Sequence, residues 1–289
     1  MSKHNAYQVK DWNGDSGARW VANQQRLDAM LAVFGEAAVA AAAPSPGERV
    51  LDIGCGAGAS SLALARRVGA AGEVLGLDIS EALVDRARSL TPQGAPLRFT
   101  VRDAAEHDPA ETGYDLLFSR FGVMFFDDPA AAFATMRRAL KPGGRVAFVC
   151  WRAAAENDWV RLPLGAVRDI VPPLPQPAPG TPGPFSFGDP ERVRAILTQA
   201  GFADIVLTPF DHDIPFGAGA NRAEAVEDAL AMAFEVGPLS RVLEGQPEHL
   251  RARAADAVRM AFASRPGERS VMIDGAAWIV TAQNTRPDM

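Results

Sequence analysis

The chain of 289 residues is 48% hydrophobic and 22% charged, and 29 lysine and arginine residues against 35 aspartate and glutamate residues give a net charge of −6. This composition excludes an intrinsically disordered chain, and the acidic balance disfavours binding to nucleic acid, which requires clustered basic residues. No apolar run approaches the roughly 20 residues of a transmembrane helix, and no secretory signal is visible. Only two cysteines, Cys55 and Cys150, are present, so we expect neither a disulfide framework nor a metal site. We expect a cytoplasmic protein without membrane insertion.

The first 44 residues begin with an aromatic and polar segment that contains Trp12 and Trp20. From Leu27 onward, apolar residues recur at helical spacing, and the sequence Pro-Ser-Pro-Gly at 44–47 ends this helix. We interpret residues 1–44 as a helical cap. The two tryptophans either close over a bound ligand or pack the added helix onto the main domain.

From residue 49 onward, short apolar runs alternate with helical patterns. Strands are predicted at residues 49–53, 73–77, 97–101, 114–119, 145–151 and 204–208, with a last strand from 270–273 and 276–281. Helices are predicted at residues 60–68, 81–90, 128–140, 189–200, 222–236 and 247–263. This alternation predicts an α/β fold in which helices cover both faces of a parallel sheet.

The alternation is interrupted after the fifth predicted strand and again between the sixth and the seventh. Residues 171–184 contain seven prolines, so they must form an irregular loop. We assign residues 45–151 to the ligand-binding half of the domain, and residues 152–289 to the rest of the sheet with insertions at 152–188 and 211–268. These insertions carry apolar side chains suited to a lid over a hydrophobic ligand, or to a homodimer interface, at Leu230, Met232, Phe234 and Phe262.

The most informative segment is residues 50–58, Val-Leu-Asp-Ile-Gly-Cys-Gly-Ala-Gly, where a strand meets a helix. Glycines there permit a sharp turn and the close approach of a ligand, and α/β sheets bind ligands at this edge. Twenty residues after Gly58, Asp78 ends the second strand. A carboxylate at this place can accept hydrogen bonds from ribose hydroxyls. The alternative is a cap for the next helix, for which Ser80 is better placed.

The spacing also indicates which nucleoside is bound. A dinucleotide-binding loop has its third glycine one residue later than here. Asp52 directly precedes the loop, where a carboxylate disfavours a pyrophosphate and favours an amino group. We therefore expect a nucleoside that carries an amino acid.

Five segments, at residues 50–58, 76–80, 103–104, 114–119 and 140–145, resemble the class I S-adenosylmethionine-dependent methyltransferases. The similarity is strongest to the ubiquinone/menaquinone-biosynthesis-like, type 11 small-molecule branch. The resemblance implies a Rossmann-like sheet of seven strands in the order 3-2-1-4-5-7-6, with strand seven antiparallel. It also implies S-adenosylmethionine as cofactor and S-adenosylhomocysteine as product.

The family pattern assigns cofactor contacts by position. The methionine part is expected to contact the first loop and the end of the fourth strand, at Asp52, Gly54, Cys55, Gly56, Gly58, Ser119 and Arg120. The adenosine part is expected at the ends of strands two and three, at Asp78, Ile79, Asp103 and Ala104. Trp12 and Trp20 are expected to cover the cofactor.

A sulfonium methyl is already activated, so the expected reaction is an in-line transfer to a small hydrophobic or aromatic acceptor, and the protein contributes positioning and water exclusion. Arg120 and His212 are the candidate catalytic residues, whereas His107 is expected at the surface. The residues expected to contact the acceptor are Phe125, Trp151, Glu156 and Trp159.

Three alternatives stay open at this point. A methyltransferase for RNA or protein is disfavoured because a basic tract is missing and because residues 119–122 read Ser-Arg-Phe-Gly in place of Asn-Pro-Pro-Tyr. An NAD-linked oxidoreductase is disfavoured by the early third glycine. A non-catalytic module that binds the cofactor remains open, because methyl transfer needs no side-chain nucleophile.

Overall fold

A seven-stranded mixed sheet forms the centre of the computed structural model, which describes residues 3–106, 112–173, 175, 178 and 180–285. Its strand order is β3-β2-β1-β4-β5-β7-β6. The strands are β1 (Arg49–Ile53), β2 (Glu73–Asp78), β3 (Leu97–Val101), β4 (Tyr114–Arg120), β5 (Leu140–Trp151), β6 (Ala203–Ala218) and β7 (Ser270–Gln283). The first five strands pair in parallel, and β7 runs antiparallel to both β5 and β6. The expected order and direction are confirmed.

Helices surround this sheet. They are α1 (Lys3–Trp12), α2 (Asp15–Ala22), α3 (Gln24–Ala42), α4 (Ala59–Val68), α5 (Glu81–Leu90), α6 (Pro129–Arg137), α7 (Asp158–Val167), α8 (Pro190–Gln199), α9 (Arg222–Glu235), α10 (Pro238–Leu243) and α11 (Glu248–Ala263). Helix α3 packs against β4 to β7, and α4 and α5 pack against β1 to β3. None of the helices in the described ranges is long and apolar enough to cross a bilayer.

Capping side chains set where several helices begin. The carboxylates of Asp128 and Asp189 accept hydrogen bonds from the first turns of α6 and α8, and each is followed by proline at the first helical position. The side chain of Asn221 accepts from the Glu224 N–H at 3.1 Å at the start of α9. These caps confirm the helix starts that the sequence predicts.

Two strands are longer than predicted. Residues 141–144 are predicted from the sequence to end a helix and to precede the fifth strand. They instead form a bulge inside β5, where Tyr114 pairs with Leu140 but Leu116 pairs with Arg145. Strand β6 continues from the predicted end at residue 208 to Ala218, paired with β7 throughout. The insertion between β6 and β7, which the sequence analysis predicts as a lid from residue 211, therefore begins at residue 219. Prolines and acidic residues hide this strand in the sequence, and they are tolerated because β6 is an edge strand.

Four helices were not predicted. The polar segment before α3 forms α1 and α2, and the insertions contain α7 and α10. The described part of 171–184 forms no helix or strand, in agreement with its proline content. His107 lies outside the described residues.

Arg222, the first residue of α9, connects α9 to the end of α11 and to the start of β7. Its guanidinium donates hydrogen bonds to backbone carbonyl oxygens at the end of α11 and in the loop before β7, at Phe262, Ala263, Arg265, Pro266, Gly267 and Ser270. A guanidinium group that binds several carbonyl oxygens at a helix end supplies donors where the helix itself supplies none. Arg222 therefore holds α9 and α11 in place.

We expect Arg222→Met to lower the free energy of unfolding by about 2 kcal/mol, because hydrogen bonds to a charged group contribute about 1.5–3 kcal/mol. Urea denaturation measures this change. Arg253→Met, at an exposed arginine of α11, is the matched control and should change it by less than about 0.5 kcal/mol. Equal effects of both substitutions would contradict the anchoring role of Arg222.

Candidate active site

A cavity of about 300 Å³ lies at the edge of the sheet where the parallel strands end. Its walls come from the loops after β1 to β5, from α1 to α3, and from the segment that joins α9 to α10. Ligand cavities of α/β proteins occur at this edge because the strand ends leave a crevice there. The predicted residues that line it are Trp12, Trp20, Gly54, Cys55, Gly56, Asp78, Ile79, Asp103, Ala104, Arg120, Phe125, Trp151 and Trp159.

The three glycines of the first loop have different surroundings. A Cβ on Gly54 (φ +63°) would lie 2.8 Å from the Cα of Gly122, and a Cβ on Gly58 (φ +87°) would lie 2.8 Å from the Phe99 ring. A Cβ on Gly56 (φ +55°) would meet no atom within 4 Å. Gly54 and Gly58 thus permit close packing, whereas Gly56 keeps the cavity floor free of a side chain. Gly58 does not line the cavity.

Asp78 connects the end of β2 to this loop. Its Oδ2 accepts the Gly56 N–H at 2.8 Å and its Oδ1 accepts the Ser80 N–H at 2.9 Å. Burial raises the pKa of this carboxyl, and the two N–H groups oppose that rise. Ser80, as expected, caps α5. A carboxylate has about four acceptor positions, so Asp78 retains acceptors on the cavity side for ligand hydroxyls.

Asp52 lies beneath the loop, fully buried, and does not line the cavity. Its Oδ2 accepts the hydroxyls of Ser60, at 2.7 Å, and Ser61, while its Oδ1 has no hydrogen-bond partner among the described residues. Burial raises the pKa of Asp52 to about 6, and the serine hydroxyls limit the rise. The structure thus places Asp52 as a support below the loop, at odds with the expected direct contact to the cofactor amino group.

Cys55 and the residues at the ends of β2 and β3 also line the cavity. The Cys55 side chain packs with Val84, Ala87 and Phe99, and burial raises the pKa of its thiol, so a thiolate is disfavoured. Asp103 accepts the Ala105 N–H at 2.8 Å, which orients its carboxylate at the end of β3.

The N-terminal helices are fixed to this wall through Asn13. Its Nδ2 donates to the carbonyl oxygen of Ile79 at 2.8 Å, and its Oδ1 accepts the Glu81 N–H at 3.0 Å. Trp12 makes edge contacts with Trp20 and Phe125, with ring centroids 5.5 and 5.7 Å apart. The tryptophans therefore pack the N-terminal helices together and form part of the cavity wall, and their closing over a bound ligand stays a prediction.

Of the two residues at the end of β4, only one faces the cavity. The Ser119 hydroxyl donates to the Ile53 carbonyl oxygen at 2.7 Å and accepts the Gly122 N–H at 3.1 Å, so Ser119 braces two loops and does not line the cavity. Arg120 lines the cavity, and its Nη2 lies 2.7 Å from Oδ1 of Asp28 on α3. Asp28 gave no signal in the sequence.

The remaining wall is largely aromatic. Phe121 stacks on Trp151 with centroids 4.2 Å apart, and Trp159 contacts Trp151 at 5.4 Å and stacks on Phe185 at 5.3 Å. Phe121 has φ +60°, a conformation that costs a non-glycine residue about 1–3 kcal/mol and is common at functional sites. This wall suits a flat apolar ligand.

Two predicted residues lie elsewhere. Glu156 is exposed and bonds to Arg152. His212 is exposed on β6, where its Nδ1 lies 2.9 Å from the Asp213 carbonyl oxygen. Neither lines the cavity. The extension of β6 carries His212 along the edge of the sheet, so we no longer assign these residues a role in binding or catalysis.

Several cavity residues were missed by the sequence reasoning. They come from distant helices or follow β3, and include Gln8, Asp11, Arg102, Glu235, Ser240 and Arg241. Most of their positions depend on how α1, α9 and α10 pack, which no local pattern encodes. Met232, predicted as part of an apolar lid, lines the cavity as well.

Comparison with known proteins gives consistent matches. Residues 50–144 match a family described as a methyltransferase domain. The chain is 31% identical over 172 residues to nocamycin O-methyltransferase of Saccharothrix syringae. The aligned residues cover 56% of this chain and 61% of that relative, which is less than two thirds of its length. It is 31% identical over 181 residues to the ubiquinone/menaquinone biosynthesis C-methyltransferase of Ralstonia pickettii, covering 58% of this chain and 72% of that relative. The solved structure of the YcgJ protein of Bacillus subtilis superposes with a TM-score of 0.55 at 17% identity, covering 89% of this chain and 99% of that one, which supports the fold.

The elevated pKa of Asp52 predicts a pH-dependent stability. Because its pKa is higher in the folded chain than the roughly 3.9 of an unfolded one, the proton stabilises the folded state below about pH 4, and this stabilisation is lost as the pH rises through about 6. A shift of about two units corresponds to about 3 kcal/mol.

Urea denaturation of the wild type and of Asp52→Asn across this pH range measures the effect. The free energy of unfolding of the wild type should fall relative to that of the variant by up to about 3 kcal/mol from about pH 4 to pH 7. Parallel curves would show that Asp52 does not titrate as its burial requires.

Proposed function

The chain belongs to the S-adenosylmethionine-dependent methyltransferases of class I, and on that premise we propose that it transfers a methyl group from this cofactor to a small hydrophobic or aromatic acceptor. The observation that carries the proposal is the pairing of Asp78 with Gly56 at the cavity floor. This pairing places a carboxylate that has unused hydrogen-bond acceptor positions beside the Gly56 backbone, which no side chain covers.

The residues present fit an adenosyl group with a methionine tail. We propose that Asp78 accepts the ribose hydroxyls, that Ile79 packs on the adenine, and that Asp103 and the Ala104 backbone bind its edge. All four residues line one wall of the cavity. A carboxylate that is already oriented by backbone N–H groups loses little entropy when it binds hydroxyls, which favours affinity.

The methionine part would lie along Gly54 and Gly56 with its carboxylate towards Arg120. Arg120 is 12% exposed and already paired with Asp28, so it is a positioned cation with donors left for a second carboxylate. In this arrangement α1 and α2 form a cap over the cofactor, which Asn13 holds to the loop after β2.

When bound, the cofactor would supply an activated methyl group to the lone pair or carbanion of the acceptor, and the carbon–sulfur bond that breaks would leave S-adenosylhomocysteine. The chain's own residues orient the acceptor and exclude water from the site. Phe121 and Trp151 form a flat wall that restricts an aromatic acceptor to few orientations. The buried aromatic and apolar lining keeps water from the reacting centre. The described lining includes no histidine, and we assign no general base among the described residues.

Gly56→Ala should weaken the binding of S-adenosylhomocysteine about tenfold or more, because the added methyl group enters the cavity floor. Gly47→Ala is the matched control, since Gly47 also has a positive φ (+86°) and open space around its Cβ position but lies outside the cavity. Both substitutions add similar backbone strain, about 1–2 kcal/mol. Titration calorimetry measures the affinities. Equal losses in both variants, or tighter binding of NAD than of S-adenosylhomocysteine by the wild type, would overturn the cofactor assignment.

The activity itself can be tested by mass spectrometry. Incubated with S-adenosylmethionine and a panel of small phenols, quinols and amines, the protein should convert at least one compound to a product that is heavier by one methylene unit. Trp159→Leu should raise KM for that acceptor about tenfold, because stacking contacts are lost, and should leave the affinity for S-adenosylhomocysteine unchanged. Binding of S-adenosylhomocysteine without any methylated product would favour a non-catalytic module, and methylation of RNA or protein alone would favour a macromolecular substrate.

A further inference from the structure

The acidic side chains around the cavity have hydrogen-bond partners, whereas some of the basic ones have none among the described residues. Each acidic side chain in its wall accepts a hydrogen bond, as for Asp11 from Ser16 at 2.9 Å and Glu235 from Asn23 at 2.8 Å. Three arginines of the wall, Arg19, Arg102 and Arg241, make no side-chain hydrogen bond or ion pair with any described residue. In a chain of net charge −6, guanidinium groups without a partner among the described residues require an explanation where two of them, Arg19 and Arg241, are exposed at one cavity.

Both arginines lie at the mouth of the cavity. Arg19 is on α2 and Arg241 is on α10, and both are exposed. A second, smaller cavity is lined by Arg19, Asn23, Glu235 and Ser240, so these residues form the boundary between the interior and the outer surface. The two sides of the mouth are joined by the hydrogen bond between Asn23 and Glu235.

The other two arginines of the wall differ from this pair. Arg120 pairs with Asp28, and Arg102, which is only partly exposed, directly follows β3 and precedes Asp103, which we propose to bind the adenine. The residues of the second cavity together with Arg241 comprise three arginines, Arg19, Arg241 and Arg251, against two acids, Glu235 and Glu244, which leaves one net positive charge at the mouth. Behind it the wall is apolar, with Met30, Trp159, Met232 and Val236.

We propose that the acceptor is an aromatic acid whose carboxylate is bound by Arg19 and Arg241 while its ring enters the aromatic part of the cavity. Guanidinium groups bind carboxylates through paired N–H donors. The apolar interior and the cationic mouth together match a molecule that is apolar at one end and anionic at the other. This inference rests on the proposed function and specifies the class of acceptor.

The test uses the full chain saturated with S-adenosylhomocysteine and two probes, a hydroxynaphthoic acid and its carboxamide, which differ in charge but hardly in shape. Calorimetry at low salt should show that the acid binds about tenfold more tightly than the amide. Arg19→Gln and Arg241→Gln should each weaken the acid about three- to tenfold and leave the amide unchanged, as expected for loss of a partly exposed charge pair.

Two further variants test whether the charge at the mouth determines binding of the acid. Glu235→Gln keeps an acceptor for Asn23 but removes the competing negative charge, so it should strengthen binding of the acid. Arg253→Gln is the control, because Arg253 is exposed on α11, has no partner in the described part of the chain and does not line the cavity. It should change the binding of neither probe.

Three results would overturn the inference: equal binding of acid and amide by the wild type, no binding of either, or weaker binding of S-adenosylhomocysteine in Arg19→Gln or Arg241→Gln. The last result would assign the arginine to the carboxylate of the cofactor. The proposed function fails separately, if the wild type does not bind S-adenosylhomocysteine at all.

Discussion

The hydrogen bond from the Gly56 N–H to the Asp78 carboxylate, 2.8 Å long, joins the loop after β1 to the end of β2, and the candidate site depends on it. It orients the carboxylate and also fixes the loop whose open backbone forms the cavity floor. The loop can take this path only because Gly54 lies against Gly122, where any side chain would collide. Two short-range constraints, a close glycine contact and a charged hydrogen bond, thus define the geometry on which the proposed cofactor binding rests.

The part of the structure that the sequence predicts best is the part governed by local interactions. The bounds of β1, β3 and α5 coincide with the predicted ones, because each is a short apolar or periodic run with a clear break on both sides. The choice between Asp78 and Ser80 as the cap of α5 was also correct, since capping depends on spacing within one turn. The strand order came from the family resemblance and could not have been derived from periodicity.

The parts that were not predicted depend on tertiary contacts. Strand β6 owes its length to pairing with β7, where a Cβ at Gly275 would collide with Ile214 and Phe34, and no local pattern reports such a contact. The lengthened strand removed His212 from the candidate site. Likewise, Arg19 and Arg241 are distant in sequence and become neighbours of one cavity only because α2 and α10 pack near it. Local patterns and the family resemblance therefore located the cavity residues at the strand ends, whereas those that α9 and α10 contribute required the structure.

The most direct test of this account is a crystal structure of the protein with S-adenosylhomocysteine. We predict that both ribose hydroxyls lie within hydrogen-bond distance of the Asp78 carboxylate, about 2.6–3.2 Å, while its bond to the Gly56 N–H is retained. An adenosyl group bound away from β2, or a cavity floor around Gly56 that is filled by side chains, would contradict it.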